Sequence, residues 1–147
     1  MSNTTVEAPT NDCTIPDDVL KAYKKVRLSS SKHMMVMVLK INKEDSSVMI
    51  EEQFDETTFE DLQSYLDDVN LQPRYLVLSY AWQRGDRVQY PLMFIFYTPK
   101  HANPYDQMMY SRMKLPLVRK LDVPRSYEIR DYEDLTEEWL LEQLNKK

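Results

Sequence analysis

Behind Pro16, Asp17 and Asp18 the apolar residues Val19, Tyr23 and Val26 recur at i, i+4 and i+7, the spacing of one helix stripe. A proline in the first turn and acids at the positive end of the helix dipole fit a start there. Lys21, Lys24, Lys25 and Arg27 fill the polar side toward the other end, where cations are favoured. Residues 34–41 (MMVMVLKI) change the pattern: both parities are apolar until Lys40, which predicts a strand covered on both faces. Residues 42–47 have turn chemistry, and 48–50 begin a returning strand. Thr57 stands three residues before Glu60 in the manner of a capping box, and Phe59, Leu62 and Leu66 supply the stripe of a second helix.

Residues 74–82 (RYLVLSYAW) and 88–98 (VQYPLMFIFYT) predict a hairpin, with Gly85 in the connection where a turn needs positive φ. Pro91 has no N–H to give a ladder, so a bulge or an unpaired position is expected. Tyr90, Leu92, Phe94 and Phe96 alternate with Met93, Ile95 and Tyr97; both sets are apolar, so helices must cover both sides. Pro104 begins a third helix with Met108, Met109 and Tyr110 in its second turn, and Pro116 predicts a kink or a break in it. Residues 126–129 read as a short fifth strand. Asp134 and Glu137 mark the start of a last helix, whose buried stripe is Leu135, Trp139, Leu140 and Leu144. The order α-β-β-α-β-β-α-β-α predicts a single α/β domain, a mixed central sheet sandwiched by helices on both faces. Residues 1–13 are polar, carry Pro9 and lack periodicity, so they are expected to form a disordered tail ahead of a domain over 14–147.

Charge divides the chain unevenly. The formal net charge is −5, yet ten acids and no Lys or Arg lie between Glu44 and Asp68, while six bases face two acids between Lys100 and Arg125. Net acidity argues against a general nucleic-acid binder, although a dipolar molecule still steers onto one partner in one orientation. No apolar run approaches the roughly 20 residues that span a bilayer, and no secretory signal is visible, so no membrane partner is expected. A lone Cys13 cannot form an internal disulfide, which fits a reducing compartment.

Composition also limits chemistry. With one glycine, neither a P-loop nor a dinucleotide fingerprint can be written. His33 and His101 are isolated, and Ser29, Ser30 and Ser31 lack a nucleophile elbow and a base partner. The acids of 51–68 lack the EF-hand spacing and its glycine, and Glu51 and Glu52 point to opposite faces of a strand. Nothing recommends catalysis, so no enzyme, metal or cofactor is expected.

Several segments taken together resemble the glia maturation factor branch of the actin-depolymerising factor homology (cofilin) superfamily. They are Gln72-Pro73-Arg74-Tyr75, Arg84-Gly85-Asp86-Arg87-Val88, Tyr90-Pro91-Leu92, Gln107-Met108-Met109-Tyr110, Tyr127-Glu128-Ile129-Arg130 and, most specifically, residues 133–140 (EDLTEEWL). The resemblance implies an actin-depolymerising-factor-homology fold and a monomer that binds the actin-related protein 2/3 complex. It implies promotion of filament debranching and inhibition of branched nucleation by competitive wedging, without a cofactor. The expected location is the cytoplasm and its actin cytoskeleton, with the nucleus open as a second compartment. The alternative is a cofilin-type protein that binds and severs actin.

The same resemblance implies two partner-binding surfaces. The first combines Lys24, Lys25 and Arg27; Gln107, Met108, Tyr110, Ser111 and Lys114; and Tyr127, Glu128 and Arg130. Helical spacing leaves open whether Met108 and Tyr110 face the core or the partner. The second combines the hairpin tip, Arg84, Asp86 and Arg87, with Glu138 and Glu142 of the last helix. Cofilin-type sequences carry two lysines where this chain has Tyr105 and Gln107, which predicts weak or absent binding to ordinary actin. The chain departs from the glia maturation factor pattern at Ser111-Arg112-Met113, where small residues are usual, and at Pro116, where a lysine is common.

Overall fold

The computed structural model describes residues 15–69 and 71–146, so the tail expected over 1–13, with Cys13, lies outside them. In chain order the elements are α1 (Asp17–Arg27), β1 (Met34–Asn42), β2 (Ser47–Thr57), α2 (Phe59–Asp68), β3 (Arg74–Ser79), β4 (Trp82–Arg84), β5 (Arg87–Gln89), β6 (Leu92–Tyr97), α3 (Pro104–Leu121), β7 (Ser126–Ile129) and α4 (Glu137–Asn145). Five strands form one sheet in the order β2-β1-β3-β6-β7, antiparallel except for the parallel β6–β7 pair. It is therefore mixed, as expected.

The double-sided apolar strands explain the layering. Met37, Val77 and Phe94 stand in register across β1, β3 and β6, and all are fully buried. They lie under α1 (Val19, Tyr23, Val26) and α3 (Met109, Met113, Leu117). One residue along each strand the side chains reverse: Val38, Leu76 and Ile95 form the neighbouring rung on the opposite face. There Leu62 and Leu66 of α2 and Leu140 and Leu144 of α4 cover them. Each buried leucine contributes on the order of 2 kcal/mol, so neither helix pair can be lost without exposing half the core. No helix among the described residues is long and apolar enough to cross a membrane.

Several local expectations shift. The long hairpin is two units: β3 and β6 pair from Arg74–Tyr97 to Ser79–Leu92, and β4 and β5 make a separate two-stranded extension. The interruption falls at Pro91, whose carbonyl accepts from the Tyr80 N–H at 3.2 Å while its own nitrogen has nothing to donate. Gly85 takes φ +63° at the tip, as the turn demands. Pro116 breaks nothing, because α3 runs through it for 18 residues. The carbonyl it leaves without a partner belongs to Arg112, on the exposed side, while Met113 and Leu117 anchor both halves to the sheet.

The helix caps move along the chain as well. Pro16 occupies the N-cap position rather than the first turn of α1. Thr58, not Thr57, accepts from the backbone of α2 (Asp61 N–H, 3.1 Å). The last helix is capped by Thr136, which accepts from Trp139 N–H at 3.0 Å; Asp134 ends a preceding 3-10 turn. Of the stripe expected there, Leu135, Leu140 and Leu144 are buried and Trp139 is half-buried.

Candidate partner-binding surface

The orientation of α3 is set by what it must bury. Asp106, Met109, Tyr110, Met113, Leu117 and Leu121 turn inward. Asn103 accepts from Tyr105 N–H at 2.8 Å to start the helix, and Asp122 ends it in the left-handed conformation at φ 58°. What remains outside is a second stripe, Tyr105, Met108, Arg112 and Leu115, at i, i+3, i+7 and i+10. The three apolar members are 59%, 56% and 52% exposed. A stripe of this length facing water, on a helix already anchored by its other side, has the form of a docking face.

Tyr110 does not belong to that face. Its hydroxyl accepts from the Ile41 N–H at 3.0 Å, and its own carbonyl accepts from the Tyr75 hydroxyl at 2.6 Å. Burial pushes its phenol above the ordinary value. Two residues along a helix are about 200° of rotation, so Met108 and Tyr110 cannot share a side. Met113 is likewise core, which leaves Arg112 as the enlarged side chain on the outer surface.

The remaining candidates fall into three places. Lys114 approaches Glu128 at 3.9 Å, which joins α3 to β7, and Ser111 is exposed nearby on the helix. Gln107 donates to the Ala102 carbonyl at 2.7 Å and braces the loop ahead of α3. Asp106 meets Lys43 at 2.9 Å and ties the same end to the β1–β2 turn. The α1 cations are dispersed: Lys24 is exposed, Lys25 meets Asp55 of β2 at 3.3 Å, and Arg27 lines a groove with Asp122 and Arg125 beyond the C-terminus of α3. Along the helix axis that end lies about 20 Å from Met108, so the first surface is elongated rather than clustered.

The second surface draws on the hairpin tip and on the last helix. Arg84 stacks on the Trp82 ring at 4.4 Å and sits opposite Arg87 across the tip, with Asp86 exposed between them. Glu138 and Glu142 line a groove of about 540 Å³ together with Glu128 and Arg130. Tyr127 is half-buried and meets Trp139 edge to face at 5.7 Å, so β7 and α4 form one continuous wall.

Sequence reasoning missed the cluster around Glu51. Its carboxylate accepts from Arg74 Nε at 2.8 Å and Nη2 at 3.0 Å, accepts from the Tyr65 hydroxyl, and meets Lys40 Nζ at 3.3 Å. Burial works against this charge, but the Arg74 and Tyr65 hydrogen bonds outweigh it and hold the carboxyl at about 2. The signals were Lys40, the polar break in an apolar strand, and Arg74 at the head of another. Nothing local connects them to Glu51.

A family model described as cofilin/tropomyosin-type actin-binding protein matches residues 12–145. Glia maturation factor of Drosophila melanogaster is 41% identical over 129 residues, covering 87% of this chain and 92% of that protein. Glia maturation factor beta of Mus musculus is 38% identical over 133 residues, covering 90% and 92%. The solution structure of glia maturation factor from Caenorhabditis elegans superposes with a TM-score of 0.74 at 28% identity, covering 97% of this chain and 99% of that one.

Proposed function

Because the chain belongs to the cofilin/tropomyosin-type actin-binding family and, within it, to the glia maturation factors, we propose that it binds the actin-related protein 2/3 complex. There it promotes debranching of actin filaments and inhibits nucleation of new branches. The observation that carries this reading is the outer face of α3. Cofilin-type proteins meet actin's acidic surface with two lysines, whereas here Tyr105 is exposed and Gln107 is engaged with its own loop. A contact without those cations rests on apolar burial, and covering the exposed half or so of Tyr105, Met108 and Leu115 is worth about 1–1.5 kcal/mol each. Ordinary actin is accordingly bound weakly or not at all.

Debranching needs no covalent chemistry. A ligand shifts an equilibrium only by its differential affinity for the two states. A domain that binds the dissociated complex better than the intact junction therefore shortens branch lifetime, and occupancy of the same surface opposes new assembly. In this reading the α3 stripe with Lys114, Glu128 and Arg130 makes the main contact. The hairpin tip (Arg84, Asp86, Arg87) and the α4 face (Glu138, Glu142) make a second.

The test is branch lifetime in diluted networks watched by microscopy. The protein is expected to shorten it, and Met108→Asp to abolish the effect; an unchanged lifetime with the unaltered chain refutes the proposal. Co-sedimentation with bare filaments at low-micromolar affinity in physiological salt would instead support the cofilin-type reading.

A further inference from the structure

At the base of the hairpin, where α1 and α3 both end, lies a groove of about 470 Å³. Its apolar lining is Trp82, Tyr90, Pro91, Leu92 and Pro124, of which Tyr90 and Pro124 are exposed while Trp82 and Leu92 are buried. Its cations are Arg27 and Arg125, and Asp122 is the acid among the lining residues. Arg27 is held in place 5.8 Å over the Tyr23 ring, and Arg84 covers the Trp82 ring at 4.4 Å.

Chemistry narrows the occupant. Rigid rings bury large area at little cost in side-chain entropy, and aromatic walls suit an extended chain. Guanidinium groups pair bidentately with carboxylates. Arg27 and Arg125 outnumber Asp122 in the lining, so the groove is locally positive although the whole chain carries −5 and ten acids lie between Glu44 and Asp68. A long polyanion would run into that acidic remainder, whereas a short acidic segment stays near the groove, where salt screens the distant acids. We infer that this groove docks a short, extended acidic segment of a partner protein, its carboxylates on Arg27 and Arg125 and an aromatic side chain against Tyr90. The site lies at the opposite end of α3 from Met108 and stands independently of the reading of that stripe.

The test titrates the full chain into a fluorescein-labelled synthetic peptide of aspartates and glutamates around one tryptophan, read by anisotropy at near-physiological salt. Saturable binding is expected, weakened about tenfold or more by Arg125→Glu and by Tyr90→Ala and reduced as salt rises. Amide shifts are expected to centre on Gln89, Tyr90, Leu92, Asp122 and Arg125, and a lysine version of the peptide is expected not to bind. Thermal melts check both variants, and Arg125→Gln replaces Arg125→Glu if the latter melts early. Absence of saturable binding, affinity unchanged in the variants, or shifts confined to the Met108 face overturns the inference. Displacement of the peptide by phosphatidylserine-containing vesicles also overturns it, in favour of a membrane surface.

Discussion

Replacing Glu51 with glutamine removes one charge from a cluster that reaches across three strands and a helix. Glu51 lies on β2, Lys40 on β1, Arg74 on β3 and Tyr65 on α2. The amide can accept one Arg74 N–H but turns its own N–H₂ toward the other, and the guanidinium, 5% exposed, is left without its counter-charge. The fall of the carboxyl from 4.5 to about 2 corresponds to about 3.4 kcal/mol if nothing were screened. Solvent reaches one side of the carboxylate and Lys40 is partly exposed, so a discounted loss of roughly 2 kcal/mol is expected at neutral pH.

The sign with pH follows from the direction of the shift. A carboxyl held below its unfolded value contributes its full stability above pH 4.5 and loses it as pH falls toward about 2. Urea unfolding of both proteins, followed by the fluorescence of Trp82 and Trp139, should show a gap that is constant from about pH 5 to 8. By about pH 3 more than half of that gap should have gone. A gap under about 0.5 kcal/mol at pH 7, or one unchanged at pH 3, would refute the argument. A double-mutant cycle with Arg74→Met should give a coupling of at least about 1 kcal/mol.

Other substitutions separate core from contact. Tyr110→Phe leaves the buried Ile41 N–H without its acceptor and should lower stability by about 1–3 kcal/mol while leaving capture of the actin-related complex intact. Met108→Asp should do the reverse in the same two assays, with melting unchanged and capture lost. Thr136→Ala should destabilise by about 1 kcal/mol and Asp134→Ala far less, because only Thr136 caps α4; chemical denaturation of the pair measures the difference. Gly85→Ala meets no atom within 4 Å, so thermal melting should report only the backbone cost of positive φ, about 1–2 kcal/mol.

The sequence by itself determined the layers. Strands apolar on both parities need cover on both sides, and the helix stripes at Val19, Leu62 and Leu140 could provide it only by flanking one sheet. Gly85 and Pro91 likewise declared a turn and an interruption, because each acts through its own backbone. The glia maturation factor resemblance was legible for a similar reason: its motifs are short and local. Tertiary structure decided what periodicity cannot. Met108 and Tyr110 are near neighbours in sequence and apolar alike; only the rotation of α3 against the sheet sent one to water and the other to the Ile41 N–H. Glu138 and Glu142 came to line one groove with Glu128 and Arg130 because β7 lies beside β6 and α4 packs against it. Glu51 found Arg74 through the strand order β2-β1-β3, across 23 residues of sequence. A local pattern fixes which side of an element is buried. Which buried or exposed sides meet depends on how the elements are ordered and turned, and that is a property of the whole packed chain.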